Sequence, residues 1–187
     1  MKELLTHRLR LRQWELGDAP ALYDYAKRAE VGPRAGWAPH QSLQESEEVV
    51  ALFIAEQDCY AIEHLESGIV IGSIGLHLRK PDETITHDRQ REIGYVLHPD
   101  YWGQGYVPEA VKEVIRYSFQ ELFLETIWCG HFDFNDQSRR VNEKCHFHYQ
   151  FSKQEQLKRL NNQEVTVLYY TIQRNQYKYV NKQDQER

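Results

Sequence analysis

The 187-residue chain is poor in the groupings that commit a protein to a special class. Its three cysteines, Cys59, Cys129 and Cys145, are odd in number and form no C-x-x-C pair. That argues against a disulfide framework or a zinc site, so no metal is expected, and it fits a reducing compartment. Long apolar runs are missing too. The opening Met1-Lys2-Glu3-Leu4-Leu5-Thr6-His7-Arg8 contains none, so no signal peptide or membrane span is expected, and a cytoplasmic location is. Nor is there a basic excess: 23 Lys and Arg stand against 28 Asp and Glu, a formal net charge of −5. A general nucleic-acid binder usually carries a basic stripe, so direct nucleic-acid binding is not expected. No repeat or linker divides the chain. One domain over 1–187 is expected, with a core from about 6 to 173 and a polar tail from about 174.

What is present reads as an alternation of strands and helices. Leu9-Arg10-Leu11-Arg12 has the period-2 pattern of a half-buried strand. Asp18 is a good N-cap and Pro20 suits a first helical turn, predicting a short helix to about Arg28. Gly32 through His40 reads as a loop carrying Trp37, and Ser42-Leu43-Gln44-Glu45 is a capping box opening a helix to about Glu56. Tyr60–His64 and Ile69–Leu76 flank the turn Glu66-Ser67-Gly68, a hairpin. Residues 79–90 read as an exposed loop and Glu92–Leu97 as a strand. After Pro108, Ala110, Val111, Val114, Ile115, Ser118, Phe119 and Leu122 mark one helical face. Thr126–Phe132 is the next strand, Asp136–Cys145 a short helix and Val165–Ile172 a late strand. The class is mixed α/β.

Chemistry concentrates between Glu92 and Ala110. A strand enters Tyr101-Trp102-Gly103-Gln104-Gly105-Tyr106-Val107-Pro108 and leaves as an amphipathic helix. Amides at a helix N-terminus lack intrahelical partners and sit at the positive end of the dipole, and glycines let that backbone approach a phosphate. The turn has neither the Gly-Lys-Ser/Thr of a nucleotide P-loop nor the three-glycine spacing of a dinucleotide fingerprint. Taken alone, it serves equally well as a tight strand–helix connection.

Six segments in order carry a resemblance: Thr6-His7-Arg8-Leu9-Arg10-Leu11-Arg12, Gly36-Trp37-Ala38-Pro39-His40, Ile71-Gly72-Ser73-Ile74-Gly75, Glu92-Ile93-Gly94-Tyr95, Tyr101-Trp102-Gly103-Gln104-Gly105-Tyr106, and Asn135-Asp136-Gln137-Ser138 running on to Lys144-Cys145. Together they resemble the GNAT superfamily of N-acetyltransferases, in the RimJ/RimL-like branch of ribosomal-protein N-terminal acetyltransferases. The resemblance implies a splayed, mostly antiparallel mixed sheet of about seven strands flanked by about four helices, with acetyl-CoA between the fourth and fifth strands. It implies that the backbone of Tyr95, Val96 and Leu97 pairs with the pantetheine arm. Gly103, Gln104, Gly105, Tyr106 and Val107 would hold the pyrophosphate, Asn135 would fix the pantetheine, and Ser138 would bind near the sulfur and donate to the departing thiolate. An amine acceptor, either a protein N-terminus or a small molecule, and a monomer or homodimer complete the expectation.

Amine attack on a thioester needs a group to deprotonate the ammonium. Glu92 is the first candidate base, directly or through water, and Glu164 the second. The bland readings are a solvent-facing strand carboxylate for Glu92 and a helix cap for Ser138. Two departures from the family pattern stand out: Trp102 replaces its usual Gln or Arg, and Val107 its usual Gly or Ala. In a third, His146 stands where Gly usually ends the helix, so His146 is expected at positive φ, at about 1 kcal/mol relative to Gly. His146 and His148 form a weak metal pair without a third ligand, and Cys145 lacks a base to make it a nucleophile. Arg139 and Arg140 are candidates for the cofactor's ribose phosphate or for a solvated face. Trp37, Pro39 and His40, with Trp128 and Tyr60, are candidates for the acceptor pocket or for plain packing. A coenzyme-binding module without transfer is the alternative from another class. An RNA- or ribosome-surface domain is disfavoured by the acidic charge.

Overall fold

The computed structural model describes residues 1–177, which form one sheet with helices on both faces. In chain order the elements are β1 (Leu4–Leu5), β2 (Leu9–Arg12), α1 (Ala19–Ala26), α2 (Gly32–Ala35), α3 (Leu43–Glu56), β3 (Cys59–His64), β4 (Ile69–His77), β5 (Gln90–Leu97), α4 (Tyr106–Gln120), β6 (Thr126–Phe132), α5 (Asp136–Lys144), β7 (His148–Leu157) and β8 (Gln163–Gln173). The eight strands lie in the order β1-β2-β3-β4-β5-β6-β8-β7. Every neighbouring pair is antiparallel except β5 and β6, which run parallel with α4 as their crossover. The count of about seven strands is met, with the two-residue β1 as an added edge.

Alternation along the strands divides the core in two. On one face Leu9, Leu11, Ile62, Ile93 and Ile127 pack against Ala110, Val111, Val114, Ile115 and Phe119 of α4. On the other, Ala61 and Val70 meet Leu22, Tyr25 and Ala26 of α1 and Val50 of α3. Farther along that second face, Trp128, Phe132, Val165, Val167 and Tyr169 form their own cluster over β6 and β8. Burying one side chain such as Ile115 or Phe119 stabilises by roughly 1.5–3 kcal/mol, more than a typical helix cap. Packing therefore holds α4 where it is, and its local propensity matters less.

Several local expectations change on contact with the rest of the chain. Asp18 does not cap α1. The 3-10 turn Leu16–Asp18 runs straight into α1, so Asp18 already has helical φ −83 and ψ −9. Its carboxylate instead takes both arms of Arg12 at 2.8 and 2.9 Å and the Glu15 amide at 2.8 Å. Ser42 does cap α3, accepting from the Glu45 amide at 3.2 Å, but the Glu45 carboxylate reaches back to Gln41 rather than to Ser42. The stretch Gly32–His40 is not all loop, because α2 occupies its first four residues. Leu122 leaves the α4 face: the helix ends at Gln120 and Leu122 is exposed. Arg174–Tyr177 make a helical turn, with Tyr177 packed on Phe119 at a centroid distance of 5.3 Å. The rest of the expected polar tail lies outside the described residues.

His146 has φ 60. Its amide bonds to Glu143 O at 3.2 Å and that of Phe147 to Asn142 O at 3.0 Å, so the carbonyls at the end of α5 are satisfied by a left-handed turn. Only this reversal sends buried Phe147 into the core and starts β7 in the opposite direction. Because the His146 side chain is exposed, His146→Gly sacrifices little contact and relieves a left-handed penalty. It should raise unfolding stability by up to about 1 kcal/mol in urea melts. A clear loss of stability would show that the histidine side chain contributes more than the backbone strain.

Candidate active site

The parallel pair β5–β6 is joined only along its first half. Its register runs from Gln90↔Thr126 to Ile93↔Cys129 and then stops. Beyond that point Gly94–Leu97 stay paired with Gly72–Gly75 of β4, while Gly130–Phe132 stay paired with Val167–Tyr169 of β8. The sheet forks, and the edge of β5 from Gly94 to Leu97 faces a gap with no strand paired to it, where the Leu97 carbonyl is taken by the Trp102 indole and main-chain groups left free need a partner when covered. Gly130 stands just past the fork. A Cβ there would lie 3.0 Å from the Tyr169 ring and 3.1 Å from a Glu92 carboxylate oxygen, so those two side chains occupy the space a larger residue would take.

The open end of the fork leads into the glycine turn. Gly103 and Gly105 have φ of 75 and 83, a left-handed region that other residues enter at a cost. Gly105 is the N-cap of α4 and supplies no side chain, and Pro108 has no amide hydrogen. The amides of Tyr106 and Val107 therefore have no intrahelical acceptor, at the positive end of a 15-residue helix. The turn is held from behind. Arg8 donates to Gln104 O at 3.1 Å and pairs with Glu109 at 2.7 Å, with its guanidinium 4.2 Å from the centre of the Tyr106 ring. Burial alone would raise the Glu109 pKa, but hydrogen bonds from Thr6 and Arg8 outweigh it and hold the carboxyl below its ordinary value. Trp102 is anchored through its indole N–H to Leu97 O at 2.8 Å.

The opposite wall is α5. Asn135 is its N-cap, accepting from the Ser138 amide at 3.3 Å and donating to Arg34 O at 3.3 Å, so it ties α5 to α2. Ser138 is thus not the cap. It lies in the first turn, where its carbonyl sits 3.5 Å from the Tyr95 hydroxyl. Burial raises the Tyr95 hydroxyl well above its ordinary value. Between these walls is a cavity of about 300 Å³, lined by Tyr95, Val96, Leu97, Gly103, Gly105, Tyr106, Val107, Asn135 and Ser138, together with Val31, Arg34, Trp102, Arg140 and Lys144. Gln104 is not on its lining: its carbonyl faces Arg8 and its side chain donates to Asp100 O at 3.0 Å.

Glu92 stands at the closed end of the fork, off the cavity lining. Only 13% of its side chain is exposed, so it is not a solvent-facing carboxylate. Burial raises its pKa, partly offset by Arg79 at 3.7 Å and by His77. Glu164 is exposed on β8, within 3.4 Å of Gln156, and is not part of the cavity. The candidate acceptor residues Trp37, Pro39, His40, Tyr60 and Trp128 do not line the cavity. Trp37 packs on Gly32 and His40, His40 bonds Ser46 at 2.7 Å, Tyr60 is buried on the α4 face, and Trp128 is buried with its indole N–H on Gln90 at 2.9 Å. Arg139 turns away to Asp136 and Glu143. The three cysteines are free and buried, with Cys59 and Cys145 pushed up to about 12 by burial. Among the described residues, no group of three His, Cys, Asp or Glu side chains converges as a metal site would require, and no helix is long and apolar enough to cross a membrane. Sequence reasoning missed Arg8 and Arg34. Arg8 lies 96 residues from Gln104, and no local pattern signals that contact.

A mixed sheet that forks at its one parallel pair, with an uncapped helix N-terminus at the open end, defines the GNAT fold. The chain belongs to the GNAT acetyltransferase family: residues 8–148 match the Acetyltransferase (GNAT) domain. Enzymes of this family use acetyl-CoA. The uncharacterized N-acetyltransferase YoaA of Bacillus subtilis (strain 168) is 30% identical over 149 residues, covering 77% of this chain and 81% of that protein. The crystal structure of a GNAT-family acetyltransferase from Bacillus anthracis superposes with a TM-score of 0.82 at 22% identity, covering 93% of this chain and 99% of that one. Spermidine N-acetyltransferase from Vibrio cholerae, solved with CoA and spermine, gives a TM-score of 0.73 at 21% identity, covering 92% and 99%.

The buried Glu92 makes stability depend on pH. Its folded pKa lies above the unfolded one, so the proton is held more tightly in the native state and no charge is buried at acid pH. As pH rises through the folded pKa, the charge must form inside and stability is lost. Glu92→Gln removes that cost. The variant's stability relative to the parent should therefore increase as pH rises above the ordinary carboxylate value of about 4.3 in urea unfolding. A pH-independent difference would show that Arg79 fully compensates the burial.

Proposed function

We propose that the chain transfers an acetyl group from acetyl-CoA to a primary amine by direct attack in a ternary complex. It acts as one domain over 1–187, as a monomer or homodimer in the cytoplasm, and in the RimJ/RimL-like branch that its motifs resemble. The acceptor is a peptide N-terminus or a small-molecule amine. The observation that carries this reading is the fork, whose free β5 edge at Tyr95–Leu97 leads to the uncapped amides of Tyr106 and Val107.

The fit to the coenzyme rests on chemistry present in the chain. An extended arm of amides matches the edge of β5 at Tyr95, Val96 and Leu97 that no strand covers. A diphosphate matches the left-handed turn Gly103–Gly105 and the helix N-terminus. Gln104 contributes through its peptide unit. Because a trans peptide points its C=O and N–H in opposite directions, the bond from Arg8 to the Gln104 carbonyl turns the Gly105 amide the other way. Asn135 fixes the entrance of α5 beside the arm. Bound acetyl-CoA supplies an activated thioester.

The remaining work falls to side chains. Glu92 accepts a proton from the acceptor's ammonium, directly or through one water, leaving a neutral nucleophile. Its raised pKa brings a carboxylate closer to the range useful for a general base. As the new N–C bond forms and the C–S bond breaks, Ser138 donates a hydrogen bond or proton toward sulfur. Tyr95, held beside the Ser138 carbonyl, keeps the first turn of α5 against β5.

Thiol release in the presence of a panel of amines and peptides tests transfer itself. Gly105→Asp should abolish acetyl-CoA binding, since a carboxylate opposes the phosphates and also occupies a left-handed position. Unchanged affinity in calorimetry would remove the turn from the site. Glu92→Gln should lower kcat by roughly 10²–10⁴-fold while sparing acetyl-CoA affinity. Full turnover would pass the base role to water or Glu164.

A further inference from the structure

The face of the sheet that carries Glu92 has a line of glycines where the fork begins. Gly75 and Gly94 stand opposite one another on β4 and β5, and Gly130 follows Cys129 on β6 as Gly94 follows Ile93 on β5. Side chains from either side lean over this line. Glu92 reaches from β5 toward Gly130, where a Cβ would lie 3.1 Å from its carboxylate oxygen. His77, directly opposite Glu92 and on the same face, folds back along β4 over Gly75. A Cβ on Gly75 would collide with His77 Nε2, so glycine at that position is what admits the ring. Above Gly94, apart from adjoining residues, the His77 ring is the one neighbour within 4 Å among the described residues, with Nε2 3.5 Å from where a Cβ would be.

The ring is held in one tautomer. Its Nδ1 lies 2.6 Å from an Asp58 carboxylate oxygen, which can only accept, so Nδ1 carries the hydrogen and Nε2 of the neutral ring keeps its lone pair. Among the described residues Nε2 has no hydrogen-bond partner. Asp58 is itself fixed, because its carbonyl takes the Leu76 amide at 2.7 Å. That main-chain bond already joins the two segments, so the side-chain pair is not needed to hold them together.

Glu92 needs such a neighbour. A base must release its proton in every turnover, yet with 13% of its side chain exposed Glu92 has little access to water. Of the groups facing it, Arg79 at 3.7 Å stays protonated, and Tyr169 donates its hydroxyl to Glu155 at 2.6 Å. The Glu155 carboxylate opposes charge at Glu92. His77 is left, with 22% of its side chain exposed and joined to Asp58 at 32%. On the reading above, the coenzyme arm enters from the glycine turn along Tyr95–Leu97, so its reacting end lies toward Gly94. Tyr95 faces α5, whereas Gly94, the next residue back, faces His77.

Resting on that reading, we propose that His77, oriented by Asp58, takes the acceptor's proton from Glu92 and returns it to solvent. The ammonium N–H bond breaks as Glu92 takes the proton, and the Glu92 O–H then breaks as the proton passes to Nε2. The imidazolium, stabilised by the Asp58 carboxylate, releases the proton to water and the neutral ring is restored. Asp58 keeps its charge throughout and is a positioning residue.

The test measures thiol release and acetyl-CoA calorimetry on the full chain, on His77→Gln and on Asp58→Asn. Both variants should lower kcat at neutral pH by at least about tenfold while leaving acetyl-CoA affinity within about twofold. Asp58→Asn does so by offering an amide N–H to Nδ1, which moves the ring hydrogen to Nε2. The deficit should shrink as pH approaches the acceptor amine's own pKa, because a neutral amine needs no proton acceptor. Imidazole added to His77→Ala should restore turnover. Full turnover in both variants overturns the proposal, as does a loss that keeps the parent's pH profile and resists imidazole, which would make the pair a strut. Should His77→Gln lose its fold, Asp58→Asn carries the comparison. Either failure leaves the transfer reading in place; if the parent releases no thiol with any amine, that reading itself falls.

Discussion

Parallel pairing between β5 and β6 stops after Ile93 and Cys129, and the rest of the candidate site follows from that interruption. A continuous sheet would satisfy every main-chain group of β5 on both edges and offer nothing to a ligand. The fork leaves one edge satisfied by β4 and the other open from Gly94 to Leu97. Side chains hold it apart. Tyr169 and Glu92 fill the space above Gly130 on one face, while α5 stands against Tyr95 on the other. Because each prong remains paired with its outer neighbour, the fork has rigid walls.

Those walls are tied to distant parts of the chain. Arg8, just before β2, holds the glycine turn by its Gln104 carbonyl and is itself fixed by Glu109 of α4. Asn135 links the start of α5 to the Arg34 carbonyl in α2. Such half-buried, multiply bonded charges lose little to solvent screening compared with an exposed pair such as Lys27–Asp24. The consequence is electrostatic as well as mechanical. Oriented amides, a helix N-terminus and the cavity-lining Arg140 and Lys144 gather positive charge on one concave surface of a chain whose net charge is negative.

Elements whose signal is local were legible. Leu9 and Leu11 announce β2 by alternation, Ser42 announces α3 by its cap, and the α4 face from Ala110 to Phe119 announces its own burial. The left-handed His146 was legible because the family that the sequence resembles usually ends this helix with Gly, the residue that enters the left-handed region without steric cost. β7 was not. Its sequence, His148 to Leu157, is largely polar because it is an edge strand with little burial, and only pairing with β8 makes it a strand. Asp18 misled because a capping residue is also a carboxylate, and Arg12 was the stronger partner. Among site residues, the turn and the β5 edge came together in one cavity, while Gln104 faces the other way and Glu92 stands at the closed end of the fork, off the cavity lining.

Apart from β7 and the short α2, the residues themselves determined which backbone is extended, which is helical and where glycine must reverse the chain. Those are properties of a few neighbouring dihedral angles and side chains. The tertiary structure decided where pairing between β5 and β6 ends, which of Arg139 and Arg140 faces the cavity, and that Arg8 reaches Gln104 across the fold. Such outcomes depend on contacts between segments far apart in sequence. Their energies exist only once packing has brought the partners together and removed the water between them.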